Sequence, residues 1–118
     1  MGPSVDEVVT AVCRLPIEFQ RGNLSATDLV RRSGYVAVRH EVTVERLFDR
    51  LAEDPALVDA WLMWSEDNRS TPAWYIESLE TGAFEVGYYD HGRTSQITFD
   101  DRIRACAEYV RRYLEQFA

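Results

Sequence analysis

From Trp74 onward the hydrophobic pattern alternates, and after Asp100 it becomes helical. Trp74-Tyr75-Ile76-Glu77 runs through Glu80-Thr81-Gly82 to Phe84-Glu85-Val86-Gly87-Tyr88-Tyr89. A second turn, Asp90-His91-Gly92-Arg93, leads to Gln96-Ile97-Thr98-Phe99. Period-two alternation broken by Gly-containing turns predicts a three-stranded antiparallel meander from about Ala73 to Phe99. It sets Trp74, Ile76, Phe84, Val86, Tyr88, Ile97 and Phe99 on one face, and Tyr75, Glu77, Glu85 and Tyr89 on the other. The helix opening at Asp100 carries Ile103, Cys106, Ala107, Val110, Leu114 and Phe117 at 3-4 spacing, a stripe that matches the apolar sheet face. Arg104, Glu108, Arg111, Arg112 and Glu115 line its other side, several at i,i+4 distances that favour ion pairs.

The first half reads as helices. Ser4 and Glu7 form a capping box ahead of Val5, Val8, Val9 and Val12, and Pro16 ends that helix. Ser25 caps a second helix with Asp28 in its first turn, Leu24 and Leu29 stand at staple positions, and Gly34 is its C-cap. Thr43 caps a third, with Val42 and Leu47 as staple and Val44, Leu47, Phe48 and Leu51 as buried stripe. Asp54-Pro55 starts a fourth, whose inner face is Leu57, Val58, Trp61 and Leu62. Tyr35 to Val38 reads as a short edge strand. The expected architecture is α+β: N-terminal helices, a three-stranded antiparallel meander, and a C-terminal amphipathic helix packed on the sheet, in one domain over residues 1–118.

Composition narrows the class without naming a function. The 118 residues are 46% hydrophobic and 28% charged, an ordinary globular balance. Net charge is -7, which disfavours nucleic-acid backbones and anionic membranes and favours a basic partner, besides keeping the chain soluble. All 13 basic residues are Arg, as expected of a GC-rich bacterial genome. The acidic N-terminus shows no targeting segment, and no run approaches the ~20 apolar residues that span a bilayer, so a cytoplasmic location is expected. Cys13 and Cys106 fall on apolar helical stripes and read as free, buried thiols.

Candidate chemistry is sparse. His91 beside Asp90 has the composition of an acid-base pair, yet Asp-His-Gly is good turn chemistry in its own right. His40-Glu41 is similar. The two cysteines and two histidines lack metal-ligand spacing, and there is no phosphate loop or nucleophile elbow. Asn68-Arg69-Ser70 matches the glycosylation sequon, without meaning in a cytoplasmic chain. No catalytic, cofactor-binding or metal set is expected. The surface is more informative. Trp64, Glu66 and Asp67 near the end of the fourth helix, with Tyr89, Asp90 and His91 at the second turn, form an aromatic and acidic set suited to a protein partner. The competing expectation buries Trp64 in the core, or covers the outer sheet face with the N-terminal helices.

The order Trp64-Ser65-Glu66-Asp67, Trp74-Tyr75-Ile76-Glu77, Phe84-Glu85-Val86-Gly87-Tyr88, Phe99-Asp100-Asp101 and Ala105-Cys106-Ala107-Glu108-Tyr109-Val110 resembles small bacterial immunity proteins. These neutralise toxins of polymorphic and contact-dependent inhibition systems. The similarity spans roughly residues 61 to 117, and its motifs concern fold more than site. It implies a cytoplasmic, non-enzymatic inhibitor that binds one cognate toxin, and an acidic surface would suit a basic nuclease toxin. The alternatives are a small binding or regulatory module with another partner, dimers included, and an enzyme or small-ligand protein with a polar pocket at His91 or His40.

Overall fold

Ser4 begins the first helix through the capping box its sequence promises. Its hydroxyl accepts the Glu7 amide at 3.2 Å, and the Glu7 carboxylate accepts the Ser4 amide at 3.1 Å. The computed structural model describes residues 2–67 and 72–118; the Asn68-Arg69-Ser70 sequon and Thr71 lie outside the described residues. In chain order the elements are α1 (Val5–Cys13), α2 (Leu15–Arg21), α3 (Ala26–Ser33), α4 (Tyr35–Val38), α5 (Val44–Glu53), α6 (Ala56–Asp67), β1 (Ala73–Ser78), β2 (Phe84–Tyr89), β3 (Arg93–Phe99) and α7 (Arg102–Glu115), with a 3-10 turn over Arg39–Glu41. The fold is α+β, as expected.

Ser25 and Thr43 cap α3 and α5 by accepting the amides of Asp28 and Arg46. Asp101 rather than Asp100 caps α7. Gly34 ends α3 in the left-handed region at φ 85, a conformation that favours glycine.

Two local expectations fail. Pro16 does not simply end a helix: it lies in the first turn of α2, where a missing amide costs nothing. Tyr35 to Val38 is a helical turn, not an edge strand. Tyr35 is fully buried there, and its hydroxyl donates to Glu115 of α7 at 2.6 Å and accepts from Arg111 at 3.0 Å. Tertiary contacts thus override the β-favouring side chains of Tyr-Val-Ala-Val.

The strands form one antiparallel sheet in the order β1-β2-β3. Ile76 pairs with Val86, Val86 with Ile97, and Phe84 with Phe99. This is the predicted inner face, and α7 packs across it. Ile97 is 39% exposed, because β3 lies at the sheet edge. α6 runs beside β1, while α1 to α5 build on one another, on α6 and on α7. The Ser65 hydroxyl accepts the Ile76 amide at 2.9 Å and donates to the Ile76 carbonyl at 3.1 Å. One side chain therefore satisfies both backbone groups that Ile76 turns away from β2.

The core centres on Trp61, which is fully buried and donates its indole N–H to the Cys13 carbonyl at 2.8 Å. Tyr109 and Tyr113 of α7 meet its ring edge-on, with centroids 6.0 and 5.6 Å away. Among the described residues no helix is long and apolar enough to cross a membrane.

Candidate functional site

Among the described residues, no helix packs mainly on the outer face of the sheet. Among these residues the helices that pack mainly on strands are α6, along β1, and α7, on the inner face. The N-terminal helices do not cover the outer face, contrary to one of the two competing expectations.

That face carries an ordered polar network. Glu77 and Glu85 stand directly opposite each other on β1 and β2, an arrangement that is repulsive for two carboxylates. Arg93 of β3 bridges them: it pairs with Glu77, and its Nη1 lies 3.0 Å from Glu85 Oε2. The Tyr75 hydroxyl donates to the same Glu85 oxygen at 2.7 Å. The Arg93 guanidinium carbon also lies 5.0 Å from the centre of the Tyr75 ring, within cation-π range. Tyr75 is only 5% exposed because its ring lies across Gly87, which has no side chain to lift it off the strand.

These contacts set the protonation of the network. The Tyr75 hydroxyl, then Gln96 and Arg93, hold the Glu85 carboxyl below its usual range against the opposing effect of burial. Burial first, and the bond to Glu85 second, push the Tyr75 phenol up to about 12. Glu77 and then Glu85 hold Arg93 in its charged form. At neutral pH these influences keep Glu85 and Arg93 charged and the Tyr75 phenol neutral.

Beyond it the face ends in a three-residue turn. Tyr89 pairs with Arg93, the Asp90 amide donates to the Gly92 carbonyl at 2.9 Å, and His91 adopts φ 58. Tyr89 is 42% exposed. The His91 and Asp90 side chains are 90% and 52% exposed and stand 3.8 Å apart, too far for a hydrogen bond. They form a solvated turn, not an aligned dyad. His40 is exposed on the 3-10 turn. Glu66 and Asp67 are exposed at the end of α6, in the turn that Ser65 ties to β1.

Trp64 does not belong to this surface. It is 7% exposed, and its ring meets Phe19, Trp61 and Tyr113 edge-on at 5.0, 6.2 and 6.1 Å. It continues the Leu57-Trp61 stripe at i+7, and α2, a helix the sequence pattern does not announce, supplies Phe19 to cover it. The other five candidates are exposed, and the structure sets Tyr89, Asp90 and His91 together in one turn.

Sequence reasoning places Tyr75, Glu77 and Glu85 on the outer face without naming them as site residues, and it assigns Arg93 to the turn. No sequence signal marks Arg93 as the bridge, because that role depends on a strand irregularity.

Charge is concentrated in the turns beside the sheet: the strands hold only Glu77, Glu85 and Arg93, while Glu80, Asp90, Asp100 and Asp101 lie in the turns and at the start of α7. Residues 72–101 carry six carboxylates and one arginine, so they hold -5 of the net -7. An open groove of about 520 Å³ lies on the inner side between α7, Trp74 and Val44, but its Arg111 and Arg112 are already paired with Glu115 and Glu108. Among the described residues no group of three His, Cys, Asp or Glu side chains is placed to hold a metal ion. Comparison with known proteins finds no matching family model, no matching curated protein and no matching solved structure.

Proposed function

We propose that this protein is a non-enzymatic, immunity-type inhibitor that binds a basic toxin domain through the outer face of its sheet and the turn beside it. The observation that carries the reading is the coincidence of charge and openness. Residues 72–101 hold -5 of the net -7, most of it in the turns that flank the sheet, and no described helix packs mainly on the sheet's outer face. A nuclease cleft is basic because it serves a polyanion, and an acidic face is its electrostatic complement. The network of Tyr75, Glu77, Glu85 and Arg93 supports the reading further. It fixes its side chains before any encounter, which lowers the entropy lost on binding. Tyr89 offers a large, stiff aromatic contact at the rim. The resemblance in motif order to immunity proteins points the same way.

Co-expression with the toxin domain encoded beside it tests the reading. The protein should protect cells, and its association with the purified domain should slow as salt rises. Equal killing with and without the protein would end the immunity reading and leave a binding module with a different partner.

A further inference from the structure

Arg93 reaches the outer face because β3 carries one residue more than its partner strand needs. In strict alternation Arg93 would share a face with Ile97 and Phe99, under α7. The register instead shifts: Val86 pairs with Ile97 but Tyr88 pairs with Thr94, so Ser95 and Gln96 together oppose Gly87. This bulge inverts the faces of the residues before it and sends Arg93 to Glu77 and Glu85.

The bulge has a cost that a second element offsets. Ser95 sits at φ 55, in the left-handed region that side-chain-bearing residues seldom adopt. Its carbonyl accepts Nη1 of Arg112, from α7, at 3.1 Å. Arg112 is itself fixed twice more. Its Nε donates to Glu108 at 3.1 Å, and its guanidinium carbon lies 5.0 Å from the centre of the Trp74 ring. An arginine on the inner side of the sheet thus holds the backbone that shapes the outer side.

We propose that Arg112 is a positioning residue for the binding face: by holding the Ser95 carbonyl it maintains the bulge that turns Arg93 across Glu77 and Glu85. Its importance for binding rests on the reading of the outer face given above, whereas the geometry is testable in the isolated protein. With Arg93 docked, the two largely buried carboxylates are held by one guanidinium, and a partner meets the cluster of all three side chains. With Arg93 released, the facing carboxylates lose the guanidinium that lies between them, while Glu85 keeps its bond from Tyr75. Arg112 therefore governs the charge pattern that the partner reads without touching it.

The test uses NMR of the Arg93 guanidinium and of the Glu85 carboxyl in the full chain, without any partner. Arg93→Met supplies the reference for an unbridged face. In Arg112→Met, which keeps the stem over Trp74, the ion-paired Arg93 guanidinium signals expected of the wild type should be lost, and the Glu85 titration midpoint should rise as in Arg93→Met. Adding Ser95→Gly should restore both readings, because glycine holds a left-handed bulge without help. A folded Arg112→Met protein with wild-type Arg93 and Glu85 signals would overturn the proposal. So would a double variant in which glycine restores neither. Should Arg112→Met alone fail to fold, the double variant must recover fold and Arg93 contact together, and failure of either counts against the proposal. These outcomes concern the bulge alone, so their failure leaves the reading of the face as a binding surface standing.

Discussion

Gly87 is the position on the outer face least tolerant of a side chain. A Cβ there would lie 2.6 Å from the Tyr75 Oη and 2.8 Å from its Cζ. The ring is buried, so it cannot swing aside without breaking its bond to Glu85. Gly87→Ala should therefore destabilise by roughly 1–3 kcal/mol, the usual range for overpacking, read as a lowered urea midpoint. A midpoint equal to that of the wild type would show that the ring is not held there. Tyr75→Phe probes the same contact electrostatically. The Tyr75 hydroxyl is the largest influence lowering Glu85, so its loss should raise the Glu85 midpoint toward the ordinary carboxylate value. A carboxyl depressed in the folded state contributes stability above its unfolded pKa and loses it as pH falls through the folded value. The stability gap between Tyr75→Phe and wild type should thus be widest near neutrality and narrow on acidification. A gap independent of pH would deny the coupling.

At the scale of elements, Ser65 joins the helical half to the sheet. Ser65→Ala would leave the Ile76 amide and carbonyl without the hydroxyl that serves both. Unsatisfied buried groups cost about 1–3 kcal/mol each. The expected result is a loss of roughly 2–6 kcal/mol for the two groups, with faster amide exchange along β1 than along β2. Uniform exchange across the sheet would contradict this role. The legibility of the sequence divides along similar lines. Caps at Ser4, Ser25 and Thr43 and the alternation of β1 and β2 depend on local spacing, and they were readable. The helical turn at Tyr35 was not, because its cause is Glu115 and Arg111, far along the chain. α2 is not legible because proline both ends and starts helices, so the sequence leaves Trp64 open between surface and core, and the structure settles it as core. Of the site, alternation revealed Tyr75, Glu77, Glu85 and Tyr89. It could not reveal Arg93, since a bulge reverses the very rule by which faces are assigned.

At the scale of the whole molecule, the chain separates a packed helical body from a charged sheet surface. Both thiols belong to the body. Cys13 and Cys106 are free and fully buried, and burial pushes the Cys13 thiol up to about 12 and the Cys106 thiol further in the same direction. Native protein should react with a thiol reagent only as fast as it opens, whereas denatured protein should react at once. Rapid labelling of the native state would place a thiol at the surface. The sheet surface carries the functional claim, and one experiment addresses it most directly. Cells expressing the neighbouring toxin domain would receive wild-type protein, a variant with Tyr89 and Asp90 beside the sheet replaced by Ala, or a control with Val36→Ala on α4, away from the sheet. Both replaced side chains are exposed, as is Val36, so each protein should remain folded by circular dichroism. Wild type and the Val36→Ala control should protect, and the sheet-surface variant should lose most of that protection. Full protection by the folded sheet-surface variant would contradict the assignment of the partner to this surface.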